Sequence, residues 1–164
     1  MKKLICTLLA LLALLMTVSC ETETDDSTAF AAFTVNGVTV ALDAEAASIL
    51  AAMGTPRASA ETGSCYGDGK DKVYEYTSFK VQTYSSKGVD YILSVEIFDD
   101  ADASIATPEG IRIGSSAEDV TAKLGEPKAK SDVSIEYLNP TAKTKLLFQL
   151  RDGTVTNIQY LKSE

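Results

Sequence analysis

The sequence predicts an α+β fold made of two tandem repeats, each a helix packed on a small antiparallel β-sheet. Three observations carry this reading. A helix pattern closed by Gly-x-Pro occurs twice, at residues 38–56 (VTVALDAEAASILAAMGTP) and 111–127 (IRIGSSAEDVTAKLGEP). Each copy is followed by three runs of strand character, with apolar residues tending to every second position. The last run of each copy follows a glycine turn, Lys87-Gly88 or Asp152-Gly153, as a hairpin demands.

The chain opens with Lys2 and Lys3 and an apolar stretch over 4–18 (LICTLLALLALLMTV). A basic start and an apolar run of about 15 residues read as a secretory signal, and a permanent membrane span needs roughly 20. The stretch ends in Thr17-Val18-Ser19-Cys20. This resembles the lipobox of bacterial lipoproteins, with Thr17 where leucine is usual, and implies that Cys20 receives diacylglycerol after residues 1–19 are removed. Ordinary signal-peptidase cleavage near Ser19 is the alternative. Residues 20–32 are then the lipidated cysteine and an acidic tether, rich in Glu, Asp and Thr and without apolar periodicity. Two acyl chains suffice for stable anchoring. The expected location is the extracytoplasmic face of a cell membrane, with the lipid bilayer as one partner.

The first repeat is assigned to 33–100 and the second to 101–164. In the first helix Asp43 is placed to cap, and Ile49, Leu50 and Met53 share a face. In the second, Ser116 caps with Asp119 in the box position, and Val120 and Leu124 form the stripe. Gly54 and Gly125 stand where a helix ends in the left-handed conformation, and Pro56 and Pro127 prevent its resumption. Strands are expected at 73–77, 79–84 and 91–98, and again at 134–138, 145–150 and 154–161. The helix ends lie 71 positions apart and the last strands, from Ile92 and Val155, only 63. The first copy therefore holds about eight extra residues, placed in the glycine-rich segment 63–72 (GSCYGDGKDK).

The runs Gly114 to Val120 (GSSAEDV), Leu124 to Pro127 (LGEP), and Gly153 before Val155 and Ile158 resemble a known small α/β unit. The unit is similar to the repeat of the β-lactamase inhibitory protein and to the small lipoprotein of the outer-membrane assembly machine. With Ser64-Cys65-Tyr66-Gly67 and Thr107-Pro108-Glu109-Gly110, the double copy looks most like tandem lipoproteins of anaerobic Firmicutes. The resemblance covers residues 33–161 and implies fold rather than function, because its motifs are caps and turns. The inhibitor's repeats each carry a disulfide, and this chain has none. None of the inhibitor's enzyme-contacting residues is carried over.

Composition narrows the chemistry. There is no histidine, so Ser-His-Asp and Cys-His activation and His-containing metal sites are excluded. Cys6 leaves with the signal and Cys20 is acylated, so Cys65 is left alone, with no intrachain disulfide or thiolate zinc site. It reads as a buried small apolar side chain, the alternative being a reactive thiol. Asp99, Asp100 and Asp102 are either oxygen ligands for calcium or a solvated connector. No catalytic residue, metal or cofactor is assigned, and a non-enzymatic role is expected. With the signal gone, 13 basic and 23 acidic residues remain, a net charge of −10 that opposes nucleic acid and anionic lipid.

Five of the seven tyrosines, Tyr66, Tyr74, Tyr76, Tyr84 and Tyr91, fall between 66 and 91. They read either as core and rim or as an aromatic binding face. The extra loop should be anchored by Cys65 and Tyr66 packing inward, with Asp68 and Asp71 exposed beside Tyr66. Tyr66, Asp68, Asp71 and Tyr84 are the candidate partner-binding residues. The expected function is a membrane-anchored protein-binding module, its partner another envelope or exported protein; a surface ligand- or carbohydrate-binding role through the tyrosines is the alternative.

Overall fold

The computed structural model describes residue 30, residues 32–102 and residues 104–163. The signal segment 1–19, Cys20 and the tether up to residue 29 lie outside the described residues. The element order is β1 (Ala32–Val35), β2 (Val38–Ala41), α1 (Ala46–Met53), β3 (Ala58–Gly63), β4 (Lys70–Glu75), β5 (Phe79–Ser86), β6 (Val89–Ile97), α2 (Ala117–Leu124), β7 (Ala129–Lys130), β8 (Ser134–Asn139), β9 (Thr144–Arg151) and β10 (Thr154–Lys162).

The expected pair of helix-on-sheet repeats is not what forms. The protein is mostly β: β1 and β2 make a hairpin, and all other strands join one antiparallel sheet in the order β3-β4-β5-β6-β10-β9-β8-β7. The join is β6 against β10, with Ile97 opposite Ile158 and Val95 opposite Tyr160. A helix is about 10 Å across and covers roughly two strands at their spacing of about 4.8 Å. A single eight-residue helix such as α1 or α2 therefore leaves a four-stranded sheet partly bare. Joining the sheets lets both helices and the β1–β2 hairpin cover one face together.

That face is in register from strand to strand. Phe79, Ile97, Ile158, Phe148 and Ile135 are successive partners across five strands. Tyr74, Val81, Val95, Tyr160, Leu146 and Tyr137 form the next row. All but Tyr74 are buried, in a single core with Phe33 and Val40 of the hairpin, Ala46 of α1, and Ala117 and Val120 of α2. Burial raises the Tyr160 phenol pKa well above its ordinary value, with a small further push from Glu109.

The two halves do share local hydrogen bonding. Asp43 N–H donates to the Ile92 carbonyl, and Ile92 N–H to the Ala44 carbonyl; Gly114 with Val155, and Val155 with Ser115, repeat the pattern. Asp43 thus occupies a turn, at φ 62°, and not the expected cap. The residue before α1 is Glu45, which makes no side-chain cap bond. Helix α2 begins with the full capping box, Ser116 Oγ accepting from Asp119 N–H and the Asp119 carboxylate accepting from Ser116 N–H. Gly54 and Gly125 end the helices at φ 81° and 77°, with ψ −159° and −152°. This is not the left-handed helical region but one open essentially to glycine alone.

The turns at Lys87-Gly88 and Asp152-Gly153 have positive φ at both residues, the primed geometry that matches strand twist. Asn36-Gly37 does the same between β1 and β2.

Ser116→Ala should lower stability by about 1 kcal/mol, whereas Glu45→Ala should change the urea midpoint negligibly. Gly125→Val should cost more than either, through backbone strain alone, since a Cβ there meets nothing within 4 Å. Similar midpoints for all three variants would count against these helix boundaries.

Candidate functional site

The sheet's second face carries the alternate residues. One row runs Glu75, Lys80, Glu96, Gln159, Leu147 and Glu136. The next runs Val73, Gln82, Ser94, Leu161, Lys145 and Leu138. All are half-buried by their own neighbours, while α1, α2 and the β1–β2 hairpin contribute to the core on the opposite side. Among the described residues no helix or hairpin covers this broad sheet surface of mixed polarity.

Its charges are largely paired within the face. Lys80 Nζ lies 2.5 Å from the Glu96 carboxylate, which also accepts from Asn157 Nδ2 at 2.8 Å. Burial alone would raise the Glu96 pKa, but the Lys80 and Asn157 hydrogen bonds outweigh it and hold the group below its ordinary value. Lys145 approaches Glu136 at 3.7 Å, and Arg57 pairs with Glu75 at 2.6 Å near the edge.

One corner is aromatic. Tyr84 and Tyr91, cross-strand partners, stack with centroids 5.6 Å apart, and Tyr66 from the β3–β4 loop lies 6.3 Å from Tyr84. Tyr84 Oη donates to Asp43 Oδ1 at 2.9 Å. Lys162 Nζ binds the same oxygen at 2.9 Å and sits 5.1 Å from the Tyr84 ring centroid. Burial raises the Tyr84 pKa, and the bond to Asp43 adds to the rise. For Lys162, burial would lower the pKa, but the hydrogen bond and charge of Asp43 prevail and raise it.

The loop is held in a way the sequence reading did not foresee. Cys65 is exposed and Tyr66 is 51% exposed, so neither is the inward anchor. Close backbone packing replaces them: a Cβ on Gly67 would collide with the Ser85 carbonyl, and one on Gly69 would fall 2.7 Å from Ser85 Cβ. Ser64 Oγ accepts from the N–H of Tyr66 and Gly67, and Asp68 N–H donates to the Ser85 carbonyl.

The four candidate binding residues therefore take different parts. Tyr66 and Tyr84 come together. Asp68 is exposed, but its carboxylate accepts from Lys87 N–H at 3.0 and 3.2 Å and so holds the β5–β6 turn. Asp71 is 5% exposed instead of lying at the surface, and its Oδ1 is buried without a hydrogen-bond partner. It lines a cleft of about 300 Å³ with Cys65, Tyr66, Leu93, Leu161 and Lys162. Tyr76 goes to the core and stacks on Phe79. The sequence reading missed Asp43, Lys162 and Leu93 as part of this corner. Leu93 is the extra residue at the β5–β6 register shift, and alternation alone misplaces such a residue.

The acidic connector is occupied locally: Asp99 accepts from Ala101 N–H, and Asp102 from Ser104 N–H and Oγ. Among the described residues no group of three or more His, Cys, Asp or Glu could hold a metal ion, and no helix is long and apolar enough to cross a membrane. No protein-family model, no characterised protein and no solved structure matches the chain.

Two outcomes test this account. Because the Glu96 pKa is depressed on folding, its stabilising contribution is present above the unfolded value of about 4.3 and lost as pH falls below it. Glu96→Gln should flatten the acid side of the stability–pH curve; an unchanged acid slope would refute the role of the Lys80 and Asn157 contacts. Gly67→Ala should lower the denaturation midpoint well beyond Gly63→Ala, whose new methyl meets nothing within 4 Å.

Proposed function

We propose that the chain is a lipid-anchored protein on the extracytoplasmic face of a bacterial membrane, acting as a non-enzymatic protein-binding module. The observation that carries the binding role is the uncovered sheet face with its tyrosine corner. Seven strands of six or more residues, at about 4.8 Å spacing and about 3.3 Å rise, give roughly 34 by 20 Å. That is close to the ~800 Å² each partner contributes to a standard interface. Tyrosines at one end supply rigid contact area of the type that concentrates binding energy, and Tyr66, Tyr84 and Asp71 are the residues proposed to carry it. The partner is another envelope or exported protein.

The anchoring part rests on residues 1–20: a basic start, a short apolar run and a cysteine in lipobox position. The non-enzymatic part rests on the missing histidine and on a face without convergent reactive groups. The stacked Tyr84–Tyr91 pair favours a second reading, carbohydrate binding at the aromatic corner.

Cys20→Ala should abolish incorporation of labelled fatty acid; label retained in that variant would sink the anchor. A photo-crosslinker at Gln159 should give a discrete protein adduct in cells, and one at Glu118, exposed on α2, should not. Adducts of equal yield at both positions, or at neither, would remove the open face from the function. Glycan-array binding lost on Tyr84→Ala, with no protein adduct, would replace the first reading by the second.

A further inference from the structure

Asp71 is the unexplained group in this corner. Its side chain is on β4, on the open-face side, next to Val73 in that alternation. Oδ1 has no donor, and no Lys or Arg forms an ion pair with Asp71 among the described residues. A buried carboxylate without a donor is unfavourable in isolation; Asp71 lines the cleft, where a charged donor would meet the carboxylate as a whole and stabilise it.

We propose that the cleft at Asp71 receives a guanidinium or ammonium side chain of the protein partner. The inference rests on the protein-binding reading and specifies the chemistry of its anchor. Leu93 and Leu161 offer apolar walls to the methylene stem, and Tyr66 stands at the rim, its ring already 6.0 Å from Lys162 Nζ. The volume of about 300 Å³ is enough for one long side chain. Lys162 also lines the cleft, but its charge is committed to Asp43 at 2.9 Å, so the unmatched charge is Asp71. An incoming anion would meet that carboxylate and find only a cation already paired. The net charge of −10 left after signal removal draws basic partners over longer range.

The test uses the full-length chain in detergent micelles and amide chemical shifts of Leu93, Ser94 and Gln82. The probes are N-acetyl-arginine amide, its neutral isostere N-acetyl-citrulline amide, and N-acetyl-glutamate amide. The arginine probe should shift these amides saturably, at least about tenfold more tightly than citrulline, as a charge-assisted bond to carboxylate requires. Asp71→Asn should erase that preference. Equal response to arginine and citrulline, preference for the glutamate probe, or unchanged selectivity in Asp71→Asn overturns the proposal. Should Asp71→Asn fail to fold, the arginine–citrulline comparison on the wild-type chain decides alone. Adducts at Gln159 together with no arginine preference defeat the cation site only, whereas loss of the Gln159 adduct defeats the underlying reading.

Discussion

The antiparallel pairing of β6 with β10 determines the rest of this structure. Without it, each strand would end a four-stranded meander with an unpaired ladder edge beside buried Ile97 and Val95, or Ile158 and Tyr160. Such edges recruit other chains. Pairing them with each other moves the free edges outward to β3, whose residues are all exposed, and to β7, which is two residues long. The β3 edge carries the Lys70–Glu61 pair, a charged rim of the kind that discourages further strand addition. One core then suffices, with the short helices and the hairpin sharing the work of covering it. The opposite face is left continuous and, among the described residues, without a helix or hairpin over it.

Local structure was largely legible because it is written in local chemistry. Alternation located β5, β6, β8, β9 and β10, the Ser116–Asp119 box fixed the start of α2, and the glycine turns at Gly88 and Gly153 fixed two hairpins. What failed was the assembly. Period-two patterning shows which face of a strand is apolar but says nothing of which strand pairs with which across the chain, so one sheet was read as two. Strand β3 was invisible because Ala58–Gly63 buries no side chain, and it is held by its ladder to β4. The β1–β2 hairpin could have been found from Asn36-Gly37, the dipeptide that favours its turn. Asp43 was misread as a cap because an aspartate before a helix suits both a cap and a positive-φ turn.

The candidate site divides along the same line. Tyr84 could be placed opposite Phe79 and Val81 by parity, and the loop richness around Tyr66 was evident. The loop's inner contacts were not, because they depend on Gly67 and Gly69 meeting Ser85, a residue 16 or more positions away. That approach turns Cys65 and Tyr66 outward, and Asp71 lies at the cleft below them. The two aspartates thereby part company: Asp68 satisfies the backbone of a turn, and Asp71 is left without a donor.

The electrostatic pattern of the open face gives this difference its weight. Lys80 with Glu96, Lys145 with Glu136 and Arg57 with Glu75 compensate one another across the strands. A partner laid over them gains little from any single charge, since partly exposed pairs contribute modestly and must be desolvated. The middle of the sheet is therefore suited to broad, adaptable contact. Binding energy concentrates in desolvated pockets with aromatic residues, and this corner holds a buried acidic group without a donor, Asp71, in a cleft that Tyr66 also lines. The sheet compensates its own charges and one corner does not; under the proposed protein-binding role, that corner is where a single cationic side chain would decide selectivity.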